Sequence, residues 1–405
     1  MRFSARTAWD LGETRLARAL RERRAAGREV LDLTASNPTL CGFVYDEGGI
    51  LAVLGERAAL IYDPDPRGMR RAREAVCDYY RQRGAQVDPE QIFLTTGTSE
   101  GYGWLFRLLC EAGDEVLIAQ PSYPLFDFLA QIEDVRLVAY PLVYDHGWQI
   151  DFAGLRQRIT PRTRAIALVH PNNPTGHFTK AAERRELEAI CTEQGLALIV
   201  DEVFLDYSFA EGDSPLRGPG VEKGRSFAAG EHPCLMFVLS GISKIAALPQ
   251  MKAAWIAAFG PAAERHEAEE RLEVVADTFL SMNAPVQCAL PAWLAGSDAM
   301  QKQIQERTRA NLLQLDQELL RSPAVTRLAV EAGWYAVLRV PALGKDEDLA
   351  VNLVAERGVY VHPGSFFGFA DAGWLVVSLL TPEEDFRRGV EGVCDVFADA
   401  EARGD

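Results

Sequence analysis

From Ile92 to about Gly260 the chain alternates short, continuously apolar runs with longer helical stretches, and few folds accept that pattern. The apolar runs are Ile92–Thr96, Glu115–Ala119, Arg136–Pro141, Ala165–His170, Leu196–Val200, Leu235–Leu239 and Ala253–Phe259. Helical stretches at Ser99–Cys110, Tyr123–Gln131, Phe152–Ile159 and Lys180–Gln194 lie between them. A strand that is apolar on both faces has to be covered on both faces, and helices in the crossovers do that. The expectation is an α/β domain around a mainly parallel, seven-stranded sheet. In such sheets ligands bind at the carboxyl ends of the strands.

The rest of the chain reads differently. Residues 10–27 form an Arg-rich amphipathic helix that stops at Gly27, and Gly68–Arg83 forms a helix ended by Gly84. Beyond a helical stretch at Ala262–Thr278, a long helix runs from Asp298 to Leu320 with Ser297 as its cap. Strand-like Tyr335–Val340, Val359–His362 and Trp374–Leu379 follow, and a last helix starts at Pro382. The expected division is a large domain over 46–290, with 1–45 and 291–405 making a smaller α+β domain.

Composition narrows the partners. With 42 basic and 58 acidic residues the formal charge is −16, which repels nucleic acid and anionic membranes, so neither is an expected partner. No apolar run reaches membrane-spanning length. The seven cysteines are scattered without a CxxC pair, and the six histidines show no metal-binding spacing, so the expectation is free thiols, a cytoplasmic setting and no metal.

Between Glu231 and Glu264 only two residues carry a charge, Lys244 and Lys252. A lysine held away from water loses pKa and becomes a nucleophilic amine, whereas one facing a phosphate stays charged. The bland alternative, that both snorkel to the surface, is weighed against four further motifs at strand ends. Thr95-Thr96-Gly97-Thr98-Ser99-Glu100-Gly101 opens a helix, where small residues let backbone N–H groups cradle a phosphate or simply cap the helix. Pro121-Ser122-Tyr123-Pro124 holds an aromatic ring that stacks on a planar ligand or packs in its loop. In His170-Pro171-Asn172-Asn173-Pro174-Thr175-Gly176 two prolines fix the loop that presents the Asn173 amide. Asp201-Glu202 ends a buried strand, and a carboxylate there needs a cation, a salt bridge or a cap to satisfy it. Gly97, Gly101 and Gly103 have the wrong spacing for a dinucleotide-binding turn.

The five motifs in this order resemble the class I/II aminotransferases of fold type I, enzymes dependent on pyridoxal 5'-phosphate (PLP). The resemblance covers about Leu31 to Val393 and is carried best by Asn173-Pro174-Thr175-Gly176, Asp201-Glu202-Val203 and Ser243-Lys244, with Tyr62 to Gly68 ahead of the first large helix. It implies that Lys244 holds PLP as an imine and moves the proton, with Asp201 on the ring nitrogen, Asn173 on the ring hydroxyl and Tyr123 on the ring face. It further implies that Thr98, Ser99, Ser243 and Lys252 hold the phosphate, with Tyr62 reaching it from the neighbouring subunit of a homodimer. The implied activity is ping-pong transfer of an amino group from an amino acid to a 2-oxo acid or other carbonyl acceptor. A PLP lyase or decarboxylase on the same residues is the alternative, and a non-catalytic regulatory protein of this fold a remoter one.

Four positions depart from the family. Phe204 replaces a tyrosine that holds the ring hydroxyl, Lys252 replaces a bidentate arginine, and Gly241 replaces a serine, although Ser240 adjoins it. Val376 stands where an arginine ordinarily grips the substrate carboxylate. Ser36 and Arg339 are the expected substitutes, with Asn173 as a third substrate contact. Placing an arginine at 376 is expected to improve the binding of ordinary amino acids.

Overall fold

The computed structural model describes residues 2–124, 126–209 and 225–403. Its centre is a sheet of β1 (Ile92–Thr95), β2 (Glu115–Gln120), β3 (Arg136–Tyr144), β4 (Trp148–Ile150), β5 (Thr163–Val169), β6 (Ala197–Asp201), β7 (Met236–Gly241) and β8 (Ala254–Phe259), in the order β1-β8-β7-β6-β5-β2-β3-β4. Five neighbouring strands, β7 to β3 in that order, are parallel; β8 runs antiparallel to both β1 and β7. The sheet has eight strands where the sequence suggests seven. The additional one, β4, is three residues long and antiparallel to the far end of β3, joined by a tight turn through Asp145 and Gly147. Every residue of β6, β7 and β8 is buried, as expected of strands covered on both faces.

The covering helices include α1 (Arg70–Gln82), α2 (Thr98–Leu109), α3 (Phe126–Ile132), α4 (Phe152–Arg158), α5 (Ala181–Gln194) and α6 (Ala262–Phe279). The stretch expected to be helical from Tyr123 begins only at Phe126, and Leu125 lies outside the described residues. Among the described helices that the sequence does not suggest, the longest is α7, Ala284–Ala295, with Pro291 inside it; Glu47–Ala52 and Asp346–Asn352 are shorter ones. Proline cannot donate to the carbonyl four residues back, so sequence rules read Pro291 as a break. Burial of Leu290, Trp293 and Leu294 holds the helix regardless.

The C-terminal part forms a second layer. Its sheet contains β9 (Thr326–Arg327), β10 (Tyr335–Arg339), β11 (His362–Pro363) and β12 (Trp374–Ser378), antiparallel in the order β9-β10-β12-β11. Helices α8 (Asp298–Leu319) and α9 (Glu383–Arg403) pack together against it. Phe386, Val390, Val393 and Phe397 recur at helical spacing and bury one stripe of α9 in a cluster with Leu312 and Leu315. Ser297 does not cap α8 as expected: its hydroxyl donates to the Leu294 carbonyl at 2.9 Å. The N-terminal segment joins this layer, since Leu31–Asp32 pairs in parallel with Val359–Tyr360. An N-terminal helix, Arg15–Ala25, starts at Thr14, whose hydroxyl accepts from the Ala17 N–H. Among the described residues no helix is long and apolar enough to cross a membrane, and no group of side chains is arranged to hold a metal ion.

Candidate active site

The carboxyl ends of β5, β6 and β7 face the second layer across a cavity of about 170 Å³. It is lined by Ser36, Thr98, Ser99, Tyr123, Asn173, Asp201, Ser243, Lys244 and Tyr335, together with apolar neighbours. Eight of these nine residues are singled out by the sequence; Tyr335 is not.

Lys244 follows β7 in a single helical turn, Ile242–Ile245. That turn is anchored from outside: the Tyr207 hydroxyl donates to the Lys244 carbonyl at 2.5 Å, and the Gln301 amide to the Ile245 carbonyl at 2.9 Å. Burial pushes the Lys244 amine down to about 8, against the opposing pull of Asp201. The amine lies 4.7 Å from the centre of the Trp334 ring and 5.6 Å from that of Phe204, which meet edge to face. Phe204, one of the departures, thus forms an aromatic wall beside the amine. Its neighbour Trp334 is not singled out by the sequence, where the strand is expected from Tyr335.

Asp201 is the last residue of β6. Burial pushes its carboxyl up to about 6, against the Val203 N–H, the facing Tyr102 hydroxyl and the Lys244 ammonium, which all favour the charged form. A buried carboxylate so poorly neutralised suits a cationic ligand atom. Asn173 sits in a loop with cis bonds before Pro171 and Pro174; its side-chain oxygen is buried without a hydrogen-bond partner. Leaving such an atom unmatched costs about 1–3 kcal/mol, which a ligand bound in the cavity would recover.

At the other end, Gly97 precedes α2, a 12-residue helix whose first residues Thr98 and Ser99 line the cavity. The Lys252 amine lies 3.5 Å from where a Cβ on Gly97 would stand, so it reaches the helix start although the residue is surface-exposed. Lys252 adopts a left-handed conformation (φ 56°), unusual for a side chain of this size. Ser243 adds a hydroxyl nearby. Together these groups form an anion cradle, with a helix dipole, small side chains and one ammonium converging. Gly241 has no room for the serine expected there: a Cβ would lie 2.8 Å from that of Ala254 and 2.9 Å from the Ala253 carbonyl oxygen. Ser240 does not substitute for it, because its hydroxyl turns away to the Glu202 carbonyl at 3.5 Å.

Arg339 lies elsewhere, and Tyr62 is exposed, as a residue expected to reach the neighbouring subunit's site would be. Arg339, at the far end of β10 from Tyr335, donates to the Ala372 carbonyl at 2.9 Å and stacks on Trp374 at 4.3 Å, so it lies outside the cavity lining. Tyr62 is 76% exposed and does not line the cavity of its own chain. Val376 is fully buried within the small sheet, opposite Val337 and His362. Glu202, next to Asp201, points away from the site and accepts from the Ser226 hydroxyl and the Phe227 N–H.

The pattern of the family described as aminotransferase class I and II matches residues 57–393. The arginine–pyruvate transaminase AruH of Pseudomonas aeruginosa is 27% identical over 387 residues, covering 94% of this chain and 92% of that protein. The glutamate-pyruvate aminotransferase AlaA of Escherichia coli is 25% identical over 356 residues, with coverage of 85% and 84%. Among solved structures, an alanine aminotransferase from Pyrococcus furiosus superposes with a TM-score of 0.86 at 23% identity, covering 98% of this chain and 100% of that one. A single mutant of Thermus thermophilus aspartate aminotransferase gives 0.81 at 26% identity, covering 98% and 100%.

Proposed function

The chain belongs to the aminotransferase class I and II family and is a PLP-dependent aminotransferase, and on that footing we propose which of its residues do the work. When bound, the cofactor supplies an aldehyde that takes up amino groups and a ring that withdraws electrons. Lys244 would hold the cofactor at that aldehyde and would accept and return a proton at its Nζ. Asp201 holds the ring nitrogen positively charged, Asn173 binds the ring hydroxyl, and Tyr123 covers the ring. Thr98, Ser99, Ser243 and Lys252 hold the phosphate.

The observation that supports this assignment is the convergence of the Lys244 amine, the buried Asp201 carboxylate and the unpaired Asn173 oxygen on one cavity. A titration of holoenzyme with a panel of amino acids tests it. Amino transfer is expected to bleach the enzyme's cofactor absorbance with at least one donor, and a 2-oxo acid to restore it. Release of ammonia or carbon dioxide without a second substrate would mark the lyase or decarboxylase reading instead.

The assembly belongs to the same proposal. The consecutive residues Leu60, Ile61 and Tyr62 form an exposed apolar edge, each at least 66% exposed. A homodimer that covers this edge brings Tyr62 to the neighbour's phosphate cradle. Within each subunit, residues 46–290 form the PLP-binding domain and 1–45 with 291–405 the smaller one. The free cysteines suit a cytoplasmic enzyme.

A further inference from the structure

The polar groups of the cavity divide by origin. Thr98, Ser99, Asn173, Asp201, Ser243 and Lys244 come from the large sheet and its loops, whereas Ser36 and Tyr335 come from the opposite layer. Tyr335 opens β10 and lies across from Ser378. The Ser378 hydroxyl donates to the Ala35 carbonyl and its N–H to the Leu33 carbonyl at 2.7 Å. The strand and the segment carrying Ser36 are therefore tied to each other. The Tyr335 hydroxyl lies within reach of that of Ser36, and both residues line the cavity together with Tyr123. The Phe367 ring stands 6.3 Å from that of Tyr335. Val337 and its cross-strand partner Val376, both fully buried, continue the same face of the sheet as an apolar floor. Among the described residues, Lys244 is the one cationic side chain in the cavity lining.

We propose that Tyr335, with Ser36 beside it, receives the substrate's carboxylate through two neutral hydroxyl donors. This rests on the site reading above. It follows from position: the sheet-side polar groups are those assigned above to the cofactor, and the two hydroxyls of the opposite layer are what remains in the lining to meet the group on the far side of the reacting carbon. Neutral donors hold an anion through hydrogen bonds and supply no net charge. The site therefore separates an amino acid from its primary amide less sharply than a fixed cation would.

Steady-state kinetics of holoenzyme test this with three matched donors: an amino acid, its primary amide and the corresponding amine without the carboxylate. In Tyr335→Phe the ratio of kcat/KM for the amino acid over the amine is expected to fall by about tenfold to a hundredfold, mainly through KM. Ser36→Ala is expected to move the ratio in the same direction by less. In the unaltered enzyme the amide is expected within about tenfold of the amino acid. A ratio unchanged in both variants, or an amide disfavoured a hundredfold or more in the unaltered enzyme, would overturn the proposal. The amide comparison decides the matter even if Tyr335→Phe fails to fold. Unaltered holoenzyme that moves no amino group from any donor would remove the site reading, and this proposal with it.

Discussion

Two charges held out of water decide what individual residues do here. An amine with its pKa near 8 is about one-tenth free at pH 7 and about nine-tenths free at pH 9. The rate at which cofactor-free protein captures PLP should therefore rise about tenfold between pH 7 and 9 and then level off, measured by stopped-flow absorbance. A profile still climbing steeply at pH 10 would mean that Lys244 is not desolvated. Asp201, pushed up to about 6, is ionised across that range. Asp201→Asn keeps the shape and removes the charge, so amino transfer should slow by about ten- to a hundredfold, read as the rate of the half-reaction. An unaffected rate would show that the ring nitrogen has another partner.

Elements set where those residues stand. Gly241→Ser drives a Cβ into Ala254 and the Ala253 carbonyl, so overpacking should cost roughly 1–3 kcal/mol, visible as a lower melting temperature. Val376→Arg, expected from sequence to improve substrate binding, meets a fully buried position between Val337 and His362. An uncompensated guanidinium there should destabilise the fold by about 3 kcal/mol or more, again read by thermal unfolding. The same elements show what was legible beforehand. The central strands and their helices were readable because continuous apolar runs ending in polar motifs leave few alternatives, and those motifs converge on the cavity. Strand β4 was not, since three residues carry too little pattern. Helix α7 was hidden by Pro291 and by an apolar surface with no polar face to set a period. Tyr335 was hidden because an aromatic residue opening a strand reads as core; only the fold shows that its hydroxyl reaches Ser36. Arg339 was misplaced for the converse reason, because charge alone does not tell which end of a strand meets the cavity.

At the scale of the whole molecule, two layers close on one cavity, and Leu60, Ile61 and Tyr62 stand exposed where the proposed homodimer would cover them. If Tyr62 completes the neighbour's site, co-expressed Lys244→Ala and Tyr62→Ala chains will form hybrid dimers with one intact site. Activity should then exceed that of either variant alone, and failure to complement would place Tyr62 outside catalysis. The most direct measurement is to bind PLP to the purified protein, reduce with borohydride and map the modified peptide by mass spectrometry. The cofactor should be fixed to Lys244 and lost from that peptide in Lys244→Ala. Attachment at Lys252 or another lysine, or no attachment at all, would contradict the assignment of this cavity as the active site.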